Sequence, residues 1–199
     1  SVHANLKKGT QSFEATLSKV DGKKPKLKNE QQASEIVERS KGDFIATSIT
    51  KRSKKKQPKL PFTTSTMQQE ASTKLGFGAR KTMSIAQKMY EGIDLGGQMQ
   101  GLITYMRSDS TRLSDLFVKD TLAYIQDEYG KEYVGKAHTK NKANTQDAHE
   151  AIRPTDIKNT PESIKQYLTN DQYRLYSLIY ARTLASLMKE ASFNVTTIT

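Results

Sequence analysis

With 199 residues the chain suffices for one large domain or two small ones, and its 35% of hydrophobic residues allows only a modest core. Its 32 lysines and arginines against 21 acids, a formal charge of +11, point to a polyanion, nucleic acid before an acidic membrane surface. The lack of cysteine excludes disulfides and Cys-ligated zinc, and no apolar run approaches the ~20 residues of a membrane span or the core of a signal peptide. A merely basic soluble protein is the competing reading of the charge.

QSFEATLSKV (11–20) alternates, with Phe13, Ala15 and Leu17 on one face of a strand, and Asp21-Gly22 breaks it before a lysine-rich loop. Asn29 is the N-cap of a helix over EQQASEIVERSK, which Gly42 ends. DFIATSIT (43–50) reads as a second strand, with Ile45, Thr47 and Ile49 on one side. KRSKKKQPK (51–59) carries six basic residues and no acid, as a solvated loop or a phosphate-contacting arm. Leu60-Pro61 closes this β-rich third.

Helices dominate from there. Thr66 and Gln69 have capping-box spacing for a helix over 67–75, GFG (76–78) turns the chain, and a second helix runs over 79–91 to Gly92. Two short helices on a glycine turn, carrying Lys74, Arg80, Lys81 and Lys88, resemble a helix-turn-helix, a pattern shared with plain αα-hairpins. Residues 101–106 form a short apolar strand. Ser114 caps a helix to Tyr129 with Val118, Leu122, Ile125 and Tyr129 as its apolar stripe, and Gly130 stops it. Residues 131–150 are polar and irregular, and Thr160-Pro161 pairs an N-cap with proline at the first helical position. A long helix over 171–190 buries Leu175, Leu178, Ile179 and Ala185; Arg182 falls on the same stripe, where its charge calls for a structural ion pair. The chain opens on Ser and closes on FNVTTIT, which alternates like a strand with nothing after it to pair, so a piece of a longer protein is expected.

The stretch GLITYMRSDSTRLS (101–114) raises the question of chemistry. Alternate residues of a strand share a face, which puts Ile103, Tyr105 and Arg107 together. A phenol beside a guanidinium suits a phosphodiester: the phenolic oxygen attacks phosphorus and the guanidinium offsets charge on the non-bridging oxygens. An ordinary tyrosine, with a pKa near ~10, is a poor nucleophile without positive charge or a base nearby. An aromatic plug at a strand end is the competing reading. QDAHEAIRPT (146–155) then offers His149, Glu150 and Arg153 before a proline that fixes the chain. HEAIR has Arg where a zinc-binding HExxH has its second His, and the three histidines, at 3, 138 and 149, reject a zincin. As a phosphate site, His149 and Arg153 are cationic donors, and a carboxylate such as Asp109 would hold the imidazole protonated.

GLITYMRSDSTRLS closely resembles the active-site segment of type IA DNA topoisomerases, and TQDAHEAIRPT resembles a second signature of that family. PFTTSTMQQEASTKLGFGARKTMSIAQKMYEG looks like the stretch leading into the active-site strand, and LIYARTLASLMKEA like the long helix after which the chain returns to β structure. The Met after the tyrosine and the HEAIRPT form favour the bacterial topoisomerase I branch over topoisomerase III or reverse gyrase. The resemblance covers residues 44 to 199. It implies that Tyr105 is the nucleophile of a 5′-phosphotyrosyl link and Arg107 steadies the scissile phosphate. It further implies that Asp109 and His149 form a coupled pair, and that Arg107, Ser108, His149, Arg153 and Lys81 contact DNA. The broken bond's energy would be kept in the ester, so that strand passage, resealing and relaxation of negative supercoils need no ATP.

The implied fold class is α+β multidomain, part of a toroid: residues 1–60 and 190–199 in a β-rich arch, residues 61–189 in a mostly helical domain bearing the tyrosine and the helix-turn-helix-like unit. The family holds Mg2+ on a separate acidic domain with an Asp-x-Asp-x-Glu cluster; this sequence contains no Asp-x-Asp, so no metal is expected on it, and cleavage by this chain alone is expected to be weak or nil. Expected partners are single-stranded and negatively supercoiled duplex DNA, in the cytoplasm at the bacterial nucleoid, with the protein a monomer and no membrane involved. The alternatives are a non-catalytic helix-turn-helix-like DNA-binding module, which would have no cleavage for Tyr105→Phe to abolish, and an interaction protein whose DNA affinity barely responds to salt.

Overall fold

The structure is a computed structural model that describes residues 1–136 and 149–199. His138, most of the polar stretch after residue 136 and the first residues of QDAHEAIRPT lie outside the described residues. The chain forms two compact units, Ser1–Arg52 with Asn194–Thr199, and Ser53–Phe193.

In the first unit, β1 (His3–Lys8) and β2 (Gln11–Thr16) pair antiparallel with Lys8 opposite Gln11, which leaves Gly9-Thr10 as a two-residue connection. The second strand thus ends at Thr16, short of Val20, and Phe13 sits opposite Leu6. Helix α1 (Glu30–Arg39) starts where its cap predicts, the Asn29 side chain accepting the Gln32 amide at 3.0 Å. Its C-cap is Ser40, two residues before Gly42.

DFIATSIT is not a strand over its length. Strand β3 spans Ile49–Lys56, so most of the basic run is strand and not loop, with every side chain exposed. Its partner is β6 (Ala191–Ile198), and Ser48 and Thr199 exchange backbone hydrogen bonds at 3.0 and 3.1 Å where the pairing starts. The reach of that partner sets the strand's extent; Phe44 and Ile45 remain exposed and have no core to recruit them.

The described buried hydrophobic residues all belong to the second unit, in one cluster that includes Phe62, Met67, Met89, Leu102, Ile103, Ile125, Ile152, Leu175 and Ile179. Helix α2 (Thr64–Glu70) begins three residues earlier than its spacing predicts, because Thr63 is the N-cap and Thr66 the reciprocating residue of the box. A π-helical turn (Ala71–Leu75) extends it, and Gly76 ends it in the left-handed region at φ +71°. Helix α3 (Ala79–Glu91) stops at Gly92 as expected. A small hairpin of β4 (Ile93–Asp94) and β5 (Met99–Gln100) follows, with no signal in the apolar pattern.

Ser114 caps α4 (Asp115–Tyr129), accepting the Phe117 amide. Its buried residues are Phe117, Thr121 and Ile125, with Val118 and Leu122 packed beside them, while Tyr129 is exposed in the last turn. Thr160 and Pro161 start the short α5 (Pro161–Ile164) as read. Helix α6 (Asn170–Ser186) buries Leu175, Tyr176, Ile179, Tyr180, Thr183 and Leu184, a stripe that leaves Ala185 on the exposed side and Leu178 half-buried. Tyr176 and Tyr180 donate to the carbonyls of Asn159 and Ile157 at 2.7 and 2.9 Å, and burial pushes both phenols above their usual range.

The charge on α6 finds its partner. Arg182 meets Glu70 at 2.7 Å and lies over the Phe62 ring, and Glu70 also binds Lys59 at 2.7 Å and Lys74 at 2.9 Å. Burial alone would raise the Glu70 carboxyl, but the hydrogen bonds from Lys59 and Lys74 and the Arg182 charge win and hold it at about 2. No described helix is long and apolar enough to cross a membrane.

Candidate active site around Tyr105

Residues 101–106 do not form a regular strand. A single bridge joins Ile103 to Pro154, with the Thr104 amide on the Arg153 carbonyl at 2.9 Å and the Thr155 amide on the Leu102 carbonyl at 3.0 Å. The chain bends at Thr104, so Ile103 is buried while Tyr105, Arg107 and Asp109 are exposed. From there exposed and buried residues alternate, Met106, Ser108 and Ser110 facing inward. The tyrosine and arginine therefore share a face as expected, but Ile103 does not.

Two threonines clamp this segment on either side of Tyr105. The Thr104 hydroxyl donates to the Ala151 carbonyl at 2.6 Å and accepts the Arg153 amide at 3.0 Å. The Thr64 hydroxyl, at the start of α2, donates to the Met106 carbonyl at 2.8 Å and accepts the Ser108 amide at 2.9 Å. The Thr64 amide adds a bond to the Ser108 carbonyl at 2.8 Å. Thr64→Val keeps the volume and removes the hydroxyl, leaving the Ser108 amide without this acceptor; the expected loss is about 1–3 kcal/mol of unfolding free energy. A thermal melt of the variant indistinguishable from that of the parent chain would contradict the clamp.

Gly101 sets the entry. A Cβ there would stand 2.8 Å from the Tyr90 carbonyl oxygen, and the Leu102 amide bonds the Met89 carbonyl at 2.7 Å. The end of α3 is thus pressed onto the start of the Tyr105 segment. Gly101→Ala forces these backbones apart, and a loss of about 1–3 kcal/mol is expected in urea unfolding.

The second motif arrives beside the first. The His149 ring lies 6.0 Å from the Tyr105 ring, centre to centre, and the Tyr90 ring packs edge-on against Tyr105 at 5.3 Å. Arg153 pairs with Glu150 at 2.6 Å, donates to the Pro154 carbonyl at 2.8 Å and stacks over Phe117. Its guanidinium is engaged within the unit, so in this structure it braces the motif instead of facing outward. Ser108, expected at DNA, is buried, and its hydroxyl donates to the Glu150 carbonyl at 2.6 Å. Lys81 pairs with Asp171 at 2.7 Å and sits over Phe77.

Among the described residues no hydrogen bond or ion pair joins Asp109 to His149. Tyr105, Arg107, Asp109 and His149 are all exposed side chains. Sequence reasoning overlooks Thr64, Thr104, Tyr90 and Gly101. Their roles rest on contacts with residues distant in the sequence. Among the described residues no three His, Asp or Glu side chains gather to hold a metal ion. The resemblance assigns its magnesium to a separate acidic domain, outside these residues.

Tyr105 is thus exposed on a clamped segment, with the His149 ring 6.0 Å from its own and Arg107 exposed on the same segment. The family model described as DNA topoisomerase matches residues 1–199, and the chain belongs to that family as a bacterial type IA member. In particular, it is similar to the full-length topoisomerase I of Thermotoga maritima, at 42% identity and a TM-score of 0.72 over 83% of this chain. The chain spans 27% of that protein's length.

Proposed function

We propose that this chain carries the nucleophile of a DNA strand-cleavage and resealing reaction. The Tyr105 hydroxyl attacks a backbone phosphorus; the new bond joins the phenolic oxygen to the 5′-phosphate, the bond to the 3′ oxygen breaks, and the 3′-hydroxyl leaves with a proton. Arg107 offsets charge on the non-bridging oxygens, and His149 donates to a neighbouring phosphate. Attack by the 3′-hydroxyl reverses the step, so no ATP is consumed. The observation that carries this reading is the presentation of Tyr105 and Arg107 on one exposed face, with the His149 ring 6.0 Å from the tyrosine.

Within a whole topoisomerase this step opens a gate for strand passage and relaxes negative supercoils. Single-stranded and negatively supercoiled DNA are the substrates of that proposal, and Mg2+ belongs to it as an ion held outside these residues. The test mixes the chain with a single-stranded oligonucleotide labelled at its 3′ end, with and without an acidic domain of a relative plus Mg2+. Labelled protein that survives denaturation and needs the added domain is the expected result. No labelled protein in either mixture, from folded chain that binds DNA, would move the reading to a binding module.

A further inference from the structure

Tyr90 has no part in the chemistry above, yet the fold puts it against the nucleophile. It is the penultimate residue of α3, and the close approach at Gly101 together with the Leu102–Met89 hydrogen bond fixes that helix end to the Tyr105 segment. Its ring is 43% exposed and meets the Tyr105 ring, 39% exposed, edge-on at 5.3 Å. The His149 ring also approaches Tyr105, at 6.0 Å. Neither the Tyr90 nor the Tyr105 hydroxyl has a hydrogen-bond partner among the described residues. Exposed aromatics standing singly, such as Tyr129 or Tyr167, are ordinary surface. Here two exposed rings, Tyr90 and His149, both adjoin Tyr105, and Arg107 is exposed two residues further on, in a chain of charge +11.

From this we infer that Tyr90 is a nucleobase-stacking residue: it receives an unpaired base flanking the phosphate that Tyr105 attacks. The inference rests on the proposed cleavage function. A base presents a flat π-face whatever its identity, so the contact grips single-stranded DNA without reading its sequence. A phosphate engaged by Arg107 and a base engaged by Tyr90 would hold one nucleotide at two points and orient its phosphorus towards the Tyr105 oxygen. Because stacking releases no counterion, Tyr90 contributes affinity without contributing to the salt dependence.

The test titrates single-stranded DNA containing 2-aminopurine into the chain, Tyr90→Phe and Tyr90→Leu at several salt concentrations, with melting curves alongside. Tyr90→Leu is expected to bind about tenfold more weakly, with an unchanged slope against salt and loss of the 2-aminopurine quenching, whereas Tyr90→Phe keeps both affinity and quenching. Tyr90→Leu with unaltered melting, affinity and quenching overturns the inference and leaves the cleavage proposal standing; a shallower salt slope overturns it too, by making Tyr90 a phosphate contact. No DNA binding by the parent chain overturns the inference, while the cleavage reading is decided by the adduct assay with the added domain. If Tyr90→Leu melts early, photocrosslinking of the parent chain to 5-iodouracil DNA decides: attachment at Tyr90 supports the inference, and attachment only elsewhere overturns it.

Discussion

Tyr105→Phe, assayed with the acidic domain and Mg2+, gives no covalent protein–DNA adduct, while its affinity for single-stranded DNA stays within about twofold of the parent chain. The change removes one oxygen. That oxygen has no hydrogen-bond partner among the described residues, and the ring is 39% exposed, so the fold loses nothing by it. The edge-on contact with Tyr90 needs only the ring, which phenylalanine retains. What disappears is the atom that attacks phosphorus, and the inward-facing Ser108 hydroxyl, which donates to the Glu150 carbonyl, does not replace it. Denaturing electrophoresis reads the adduct and fluorescence anisotropy reads the binding. A residual adduct in the variant would mean another nucleophile.

Glu70→Gln is expected to lower the stability of the helical unit by about 3 kcal/mol at pH 7, the largest structural effect foreseen here. Glu70 sits at 13% exposure between Lys59, Lys74 and Arg182, and glutamine leaves those cations without their counter-charge. The pH dependence has a definite sign. The folded carboxyl lies at about 2 against an ordinary 4.5, so its contribution is complete above about 4.5 and is lost as the pH falls towards 2. Urea unfolding of both proteins across that range should show the gap closing. A gap independent of pH would mean that the loss comes from packing and not from charge.

Local chemistry is legible in this sequence and long-range pairing is not. Asn29, Ser114 and Thr160 announce their helices because a cap bonds an amide two or three residues away. Gly92 and Gly130 announce their ends for the same reason. The demand of Arg182 for an anion is also legible, though Glu70 as the partner is not. Strand β3 escapes because its length depends on β6, more than a hundred residues later, and a run of lysines offers no apolar alternation. Around Tyr105 the residue types are legible in two short motifs. The bend at Thr104 that buries Ile103, the clamp from Thr64 and the ring of Tyr90 depend on segments that only the fold brings together.

The central claim is that the Tyr105 oxygen forms the bond to DNA. The most direct measurement is proteolysis of the adduct trapped with the acidic domain, followed by mass spectrometry of the peptide that carries nucleotides. The expected result is a single nucleotide-bearing peptide, the one that contains Tyr105, with the nucleotide joined to Tyr105 through a 5′-phosphate. Nucleotide on any other residue, or joined through a 3′-phosphate, would contradict it.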